Sequence, residues 1–149
     1  RSYESEVRKN LLDGIRRTAK YEALAAGFPK ELLPEVQVLK EHTPAAWNSP
    51  ELVSRNWDAI EKVLGAQGVQ KVPSVMGGED FGRYAPAAGC PGNIMWLGVV
   101  SKEAWALSQK PNAAPLPGLH TATFAPDALA SIRTGVKAMS AAVVDILAR

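Results

Sequence analysis

Asn93-Ile94-Met95-Trp96-Leu97-Gly98-Val99-Val100 decides the fold class. Its near-continuous apolar character predicts a strand buried on both faces. Upstream, Val69 to Val75 is a second short apolar stretch. Glu35 to Glu41 (E-V-Q-V-L-K-E) partly alternates, with Val36 and Val38 pointing one way, the pattern of another strand.

Helices separate and flank these segments. From Glu4 to Ala26, Val7, Leu11, Ile15 and Ala19 recur at spacing four, with Leu12 widening the stripe, while Arg8, Lys9, Arg16, Arg17 and Lys20 lie mostly off it. That is an amphipathic surface helix, and Gly27 and Pro29 supply its stop. Glu4, Glu6, Asp13 and Glu22 are interleaved with the bases, so the charge pattern is that of a solvated face. Ser49-Pro50-Glu51 opens a second helix with a hydroxyl cap, a proline in the first turn and an acid near the positive dipole end. Leu52, Val53, Trp57, Ile60 and Leu64 turn toward a core, and the helix stops near Gly65 or Gly68.

Residues 101–118 contain Pro111, Pro115 and Pro117 and read as a long loop. Pro126-Asp127 then opens a helix of about six turns in which Leu129, Ile132, Val136, Met139, Val143 and Ile146 form one stripe expected to be buried. The seam also fits a coiled coil, although a short repeat flanked by alanines more often packs on a sheet. The order helix–strand–helix–strand–strand–helix defines an α/β class, with a boundary near Thr43 to Ser49.

The 149 residues suffice for one ordinary domain or pieces of two, and 46% hydrophobic against 21% charged residues describes a globular chain. A net charge of +2 gives no reason to expect nucleic acid or an anionic membrane as partner. No apolar run approaches the roughly 20 residues of a membrane helix. A single cysteine, Cys90, excludes an intramolecular disulfide framework and is compatible with a reducing, cytoplasmic compartment. The chain opens on Arg1-Ser2-Tyr3 and runs at once into a helical pattern, so it is expected to be a piece of something longer.

The candidate chemistry lies in Met76-Gly77-Gly78-Glu79-Asp80-Phe81 and in Leu119-His120-Thr121. Adjacent glycines permit a backbone conformation and a close approach that side chains block, and amides exposed there can bond a substrate carbonyl or carboxylate. Glu79 and Asp80 are also explained as first-turn acids favoured by the helix dipole. His120, in a Pro/Gly-rich loop, is either a metal ligand or a solvated loop histidine. His42 is a weaker candidate. Cys90 lacks the companions of a zinc pattern and reads as structural, and Trp47, Trp57, Trp96 and Trp105 read as core and loop anchors. No P-loop, dinucleotide fingerprint or nucleophile elbow is present.

Taken in order, Met76-Gly-Gly-Glu-Asp-Phe81, Cys90-Pro91-Gly92 with Trp96-Leu97-Gly98, and Leu119-His120-Thr121 with Phe124 and a long terminal helix resemble the C-terminal part of the metal-dependent aminoacylase/carboxypeptidase family. Its members include hippurate hydrolases, N-acyl-amino-acid amidohydrolases and auxin-conjugate hydrolases. The motifs cover about residues 72 to 147, and Arg1-Ser2-Tyr3 followed by the Glu6-Val7-Arg8 helix resembles the end of a strand and a helix of the family's smaller lid domain.

The resemblance implies an α/β fold: the C-terminal part of a mixed-sheet zinc-hydrolase catalytic domain (47–149) preceded by part of an α+β lid and dimerisation domain (1–46). It implies two divalent metals, usually zinc, and hydrolysis of an amide bond in an N-acyl amino acid or small peptide. A metal-bridging water attacks the carbonyl and a glutamate acts as general base. His120 matches the C-terminal metal ligand. Gly77, Gly78 and Glu79 match the loop lining the substrate pocket, and Arg1 lies near the lid arginine that grips the substrate carboxylate. The expected assembly is a homodimer through the lid.

The histidine–aspartate and paired-glutamate motifs of the family are missing from this sequence, and one histidine cannot hold a dinuclear site. No residue here is therefore assigned as catalytic, and the chain alone is expected to be inactive. The alternatives are a non-catalytic binding or dimerisation module of the same fold, and an unrelated α/β domain in which the motif is a local accident.

Overall fold

Helices and turns account for all the regular structure in the computed structural model, which describes residues 2–148. Five α-helices run in order: α1 (Ser5–Ala25), α2 (Pro50–Leu64), α3 (Tyr84–Ala88), α4 (Lys102–Ser108) and α5 (Ala128–Leu147). Short 3-10 turns lie at Lys30–Leu32, Ala66–Gly68 and Asp80–Arg83.

No strand and no β-bridge occurs among the described residues, which overturns the α/β expectation, both the mixed sheet and the α+β lid. A strand is defined by its ladder of hydrogen bonds to a neighbour. The apolar patterns of 35–41, 69–75 and 93–100 supply strand propensity but form no β-ladder among the described residues, and strands do not persist by propensity alone.

The chain divides into two compact units. The first comprises the chain up to Asn48 together with Pro73–Gly92. Within it, α1 ends as its sequence dictates: Gly27 takes φ +81°, and the Phe28 N–H donates to the Ala23 carbonyl at 3.0 Å. Such left-handed closure satisfies carbonyls that the helix leaves unpaired. No residue of α1 is fully buried, and Val7, Leu11 and Ile15 of the expected stripe are exposed. Further along, Gly89 at φ +62° ends α3, and the Cys90 N–H reaches back to the Ala85 carbonyl at 3.2 Å. The backbone of Cys90 thus closes a helix while its side chain is exposed.

The second unit comprises Ser49–Val72 and the chain from Asn93 onward, and its centre is the packing of α2 on α5. Pro50 opens α2 as expected and Gly65 ends it at φ +79°, but the Ser49 hydroxyl at the cap position makes no capping bond. Ala59 and Ile60 on α2 are buried, as are Ala138 and Ala142 on α5, with Leu64 and Val69 packed at the edge. The side chain of Asp127 caps α5 by accepting from the Ala130 N–H at 3.3 Å.

The stripe expected to be buried on α5 is instead its exposed face. Leu129, Ile132 and Val136 are each more than 60% accessible, and Met139, Val143 and Ile146 are exposed as well. Ser131, Ala138 and Ala142 are buried in their place. At about 100° per residue the two faces are offset by roughly a third of a turn. Small side chains let a second helix approach closely, so the alanine face receives α2 while the bulky seam stays outside.

The 93–100 segment lies along this helix. The Asp127 N–H donates to the Val99 carbonyl at 2.8 Å, and Leu97 sits so close to Gly135 that a Cβ there would lie 3.2 Å from its Cδ2. Met95, Trp96, Leu97 and Val100 are nevertheless exposed, which corrects the reading of a strand buried on both faces. Trp47, Trp96 and Trp105 are likewise exposed, so only the partly covered Trp57 fits the role of core anchor. The expected 101–118 loop contains α4, whose start is fixed by the Ser101 hydroxyl accepting from the Ala104 N–H at 3.1 Å. A serine cap followed by Glu103 in the first turn outweighs the later prolines.

Candidate functional site

The glycine–acid motif belongs to the first unit. Neither Gly77 nor Gly78 has a positive φ, and a Cβ built on either meets nothing within 4 Å. Strain and close packing within this chain therefore do not require either glycine. They leave exposed backbone with open space beside it, the condition under which an amide can approach a bound carbonyl.

Glu79 has a definite local task. In extended conformation, with φ −152° and ψ 125°, it caps the 3-10 turn Asp80–Arg83, its Oε1 accepting from the Phe81 N–H at 3.0 Å. Asp80 follows as the first-turn acid. The helix-start explanation of this acid pair thus holds for Glu79 by geometry, and the carboxylate keeps a second oxygen for other donors.

Phe81 is the hub of this region. Its ring meets Tyr84 edge to face, with centroids 5.9 Å apart and planes at 74°. Gly92 is buried against the same ring, since a Cβ there would lie 3.4 Å from Phe81 Cε1 and 2.7 Å from Ala85 Cβ. On the other side, the Arg83 guanidinium donates to the His42 carbonyl. His42 thus takes part through its backbone, while its exposed imidazole makes only a long 3.4 Å contact to the Lys40 carbonyl. Gly82, between Phe81 and Arg83, lies against the backbone of Ala45 and Ala46, and these partners of the three residues are not legible in the sequence. The available signal was Gly82 itself, a residue unfavourable inside a helical turn unless something approaches it closely.

His120 belongs to the second unit, between α4 and α5, and is exposed. Its φ is +64°, a left-handed conformation that few non-glycine residues adopt, although histidine is enriched among them. The turn holding it is closed by the Thr121 hydroxyl donating to the Gly118 carbonyl at 2.8 Å, and the Phe124 N–H follows with a bond to the Thr121 carbonyl at 3.1 Å. An L-residue held at positive φ is a local strain of the kind that clusters at functional sites. Arg1, expected near a substrate carboxylate, lies outside the described residues.

No three His, Cys, Asp or Glu side chains come together as a metal site among the described residues. His120 by itself supplies at most one of the ligands that a two-metal centre needs. No described helix is long and apolar enough to cross a membrane.

These features define a chain carrying a glycine–acid loop on a capped 3-10 turn and a strained loop histidine before a long terminal helix. Comparison with known families places it further: the profile of peptidase family M20/M25/M40 matches residues 15–143. The chain belongs to that family, a group of metallopeptidase-type hydrolases whose members generally use divalent metal ions. Neither a curated protein nor a solved structure gives a significant match.

Proposed function

We propose that this chain is the C-terminal part of a metal-dependent amidohydrolase of the aminoacylase or hippurate-hydrolase type, cleaving the amide bond of N-acyl amino acids or small peptides. The match to peptidase family M20/M25/M40 over 15–143 carries this reading, because it spans the glycine–acid loop and His120 together. In the proposal, His120 is a metal ligand, and Gly77, Gly78 and Glu79 line the substrate pocket. Arg1 reaches the substrate carboxylate. The open space beside both glycines supports the pocket assignment, and the positive φ of His120 supports the ligand assignment.

Two divalent ions, expected to be zinc, would polarise the amide and supply the nucleophilic water when bound. The remaining ligands and the general base lie outside this sequence, so the 149-residue chain alone does not hydrolyse substrate. Residues 1–46 are assigned to a lid through which the protein dimerises, 47–149 to the catalytic domain, and the setting is cytoplasmic.

Translation of the complete coding sequence gives the test. Metal-dependent release of amino acid from N-acyl substrates by that product, and none by the 149-residue chain, is the expected pattern. A product without the missing ligand motifs and without metal-dependent hydrolysis contradicts it. The second reading is a non-catalytic binding or dimerisation module, toward which the purely local capping role of Glu79 points. Self-association of a metal-free, inactive complete protein is its signature.

A further inference from the structure

The Gly77–Glu79 loop is followed directly by the turn Asp80–Arg83, and that turn is clamped to the chain segment around Ala45. Gly82 has no room for a side chain: a Cβ there would lie 2.8 Å from the Ala45 carbonyl oxygen, 3.0 Å from its carbon and 3.1 Å from Ala46 Cα. All three atoms are backbone, so the conflict is not relieved by a rotamer change. The next residue, Arg83, reaches the same segment from a second point by donating to the His42 carbonyl. Within the turn, Glu79 accepts from the Phe81 N–H, so the end of the glycine loop is bonded to the clamped element.

We infer that Gly82 and Arg83 are positioning residues that set the conformation of the Gly77-Gly78-Glu79 loop by fixing its turn on residues 42–46. The inference rests on the proposed reading of that loop as a pocket wall. A Cβ built on either glycine meets nothing, so the clamp on the adjoining turn is a means of holding the loop's amides in place, and small displacements of a positioning element degrade substrate alignment. The two residues act differently. Gly82 allows the close approach, and Arg83 closes it through a hydrogen bond that a lysine can also make.

The complete protein is compared with Gly82→Ala, Arg83→Gln and Arg83→Lys by hydrogen exchange resolved over peptides, and by kcat and KM for an N-acyl amino acid. Gly82→Ala and Arg83→Gln are expected to raise exchange in peptides covering 42–47 and 76–83 without changing those from α2 and α5. They are expected to raise KM about tenfold with a smaller change in kcat, and Arg83→Lys restores both readouts. Unchanged exchange in the two segments overturns the inference, as does an increase spread equally over α2 and α5, which marks general destabilisation. If the wild-type protein hydrolyses no N-acyl amino acid, the functional reading falls, and the exchange pattern still decides the clamp.

Discussion

Arg55 on α2 and Asp145 in the last turn of α5 are joined at two points: Arg55 Nε meets Asp145 Oδ2 at 2.5 Å, and the guanidinium also donates to the Asp145 backbone carbonyl. The guanidinium thus pairs a charge and bonds a carbonyl at the negative end of α5. Arg55→Ala removes both interactions and is expected to cost about 1–2 kcal/mol. Asp145→Ala removes only a partly exposed ion pair and is expected to cost less than about 1 kcal/mol. Urea unfolding of the two variants checks the order, and equal losses contradict it.

Capping gives a second contrast. The Asp127 carboxylate bonds the Ala130 N–H, whereas the Ser49 hydroxyl makes no capping bond although its Ser-Pro-Glu context reads as a stronger start. Asp127→Ala is therefore expected to cost about 1 kcal/mol and Ser49→Ala less than about 0.5 kcal/mol. Chemical denaturation midpoints at equal m-values provide the comparison.

The faces of α5 make a third. Enlarging Ala138 or Ala142 to leucine forces α2 away and is expected to cost about 1–3 kcal/mol. Ile132→Gln and Val136→Gln change exposed positions and are expected to alter stability by no more than about 0.5 kcal/mol. A large loss from the glutamine variants, seen in the same unfolding experiment, reverses the assignment of the faces.

Backbone strain at His120 yields a fourth. Glycine accepts a φ of +64° without the Cβ conflict that alanine meets. His120→Gly is expected to be more stable than His120→Ala by about 1 kcal/mol. Thermal unfolding of the pair measures the difference, and equal stability shows that the turn does not hold the residue at positive φ.

Local start and stop signals made α1, α2 and α5 legible, but not α4, whose Ser101 cap stands just ahead of three loop-forming prolines. Gly27 and Gly65 stand at positive φ where the patterns of α1 and α2 end, and Asp127 caps α5. What failed was every inference that needed a neighbour. The apolar run 93–100 predicts a buried strand only if flanking strands exist, and here no β-ladder forms among the described residues, while Leu97 and Val99 meet Gly135 and Asp127. The Leu129–Ile146 stripe identified an apolar face correctly but not the face that α2 contacts. That choice depended on the small Ala138 and Ala142.

The candidate site divides in the same way. Glu79 as a helix-start acid was readable from its position, and the structure shows which amide it caps. The left-handed φ of His120 was not readable, because the turn from Gly118 to Thr121 leaves no distinctive periodicity. Nor was the approach of Ala45 to Gly82, a contact between residues far apart in the chain.

The central claim is that His120 serves a metal-dependent amide hydrolase of this family. It is tested most directly by the zinc content of the complete protein and its rate on an N-acyl amino acid, with and without His120→Ala. About two zinc ions per chain are expected in the wild type. The variant should lose metal, and its kcat/KM should fall by more than the roughly 10–100-fold typical of a residue standing behind a ligand. Full metal content and an unchanged rate in His120→Ala contradict the account.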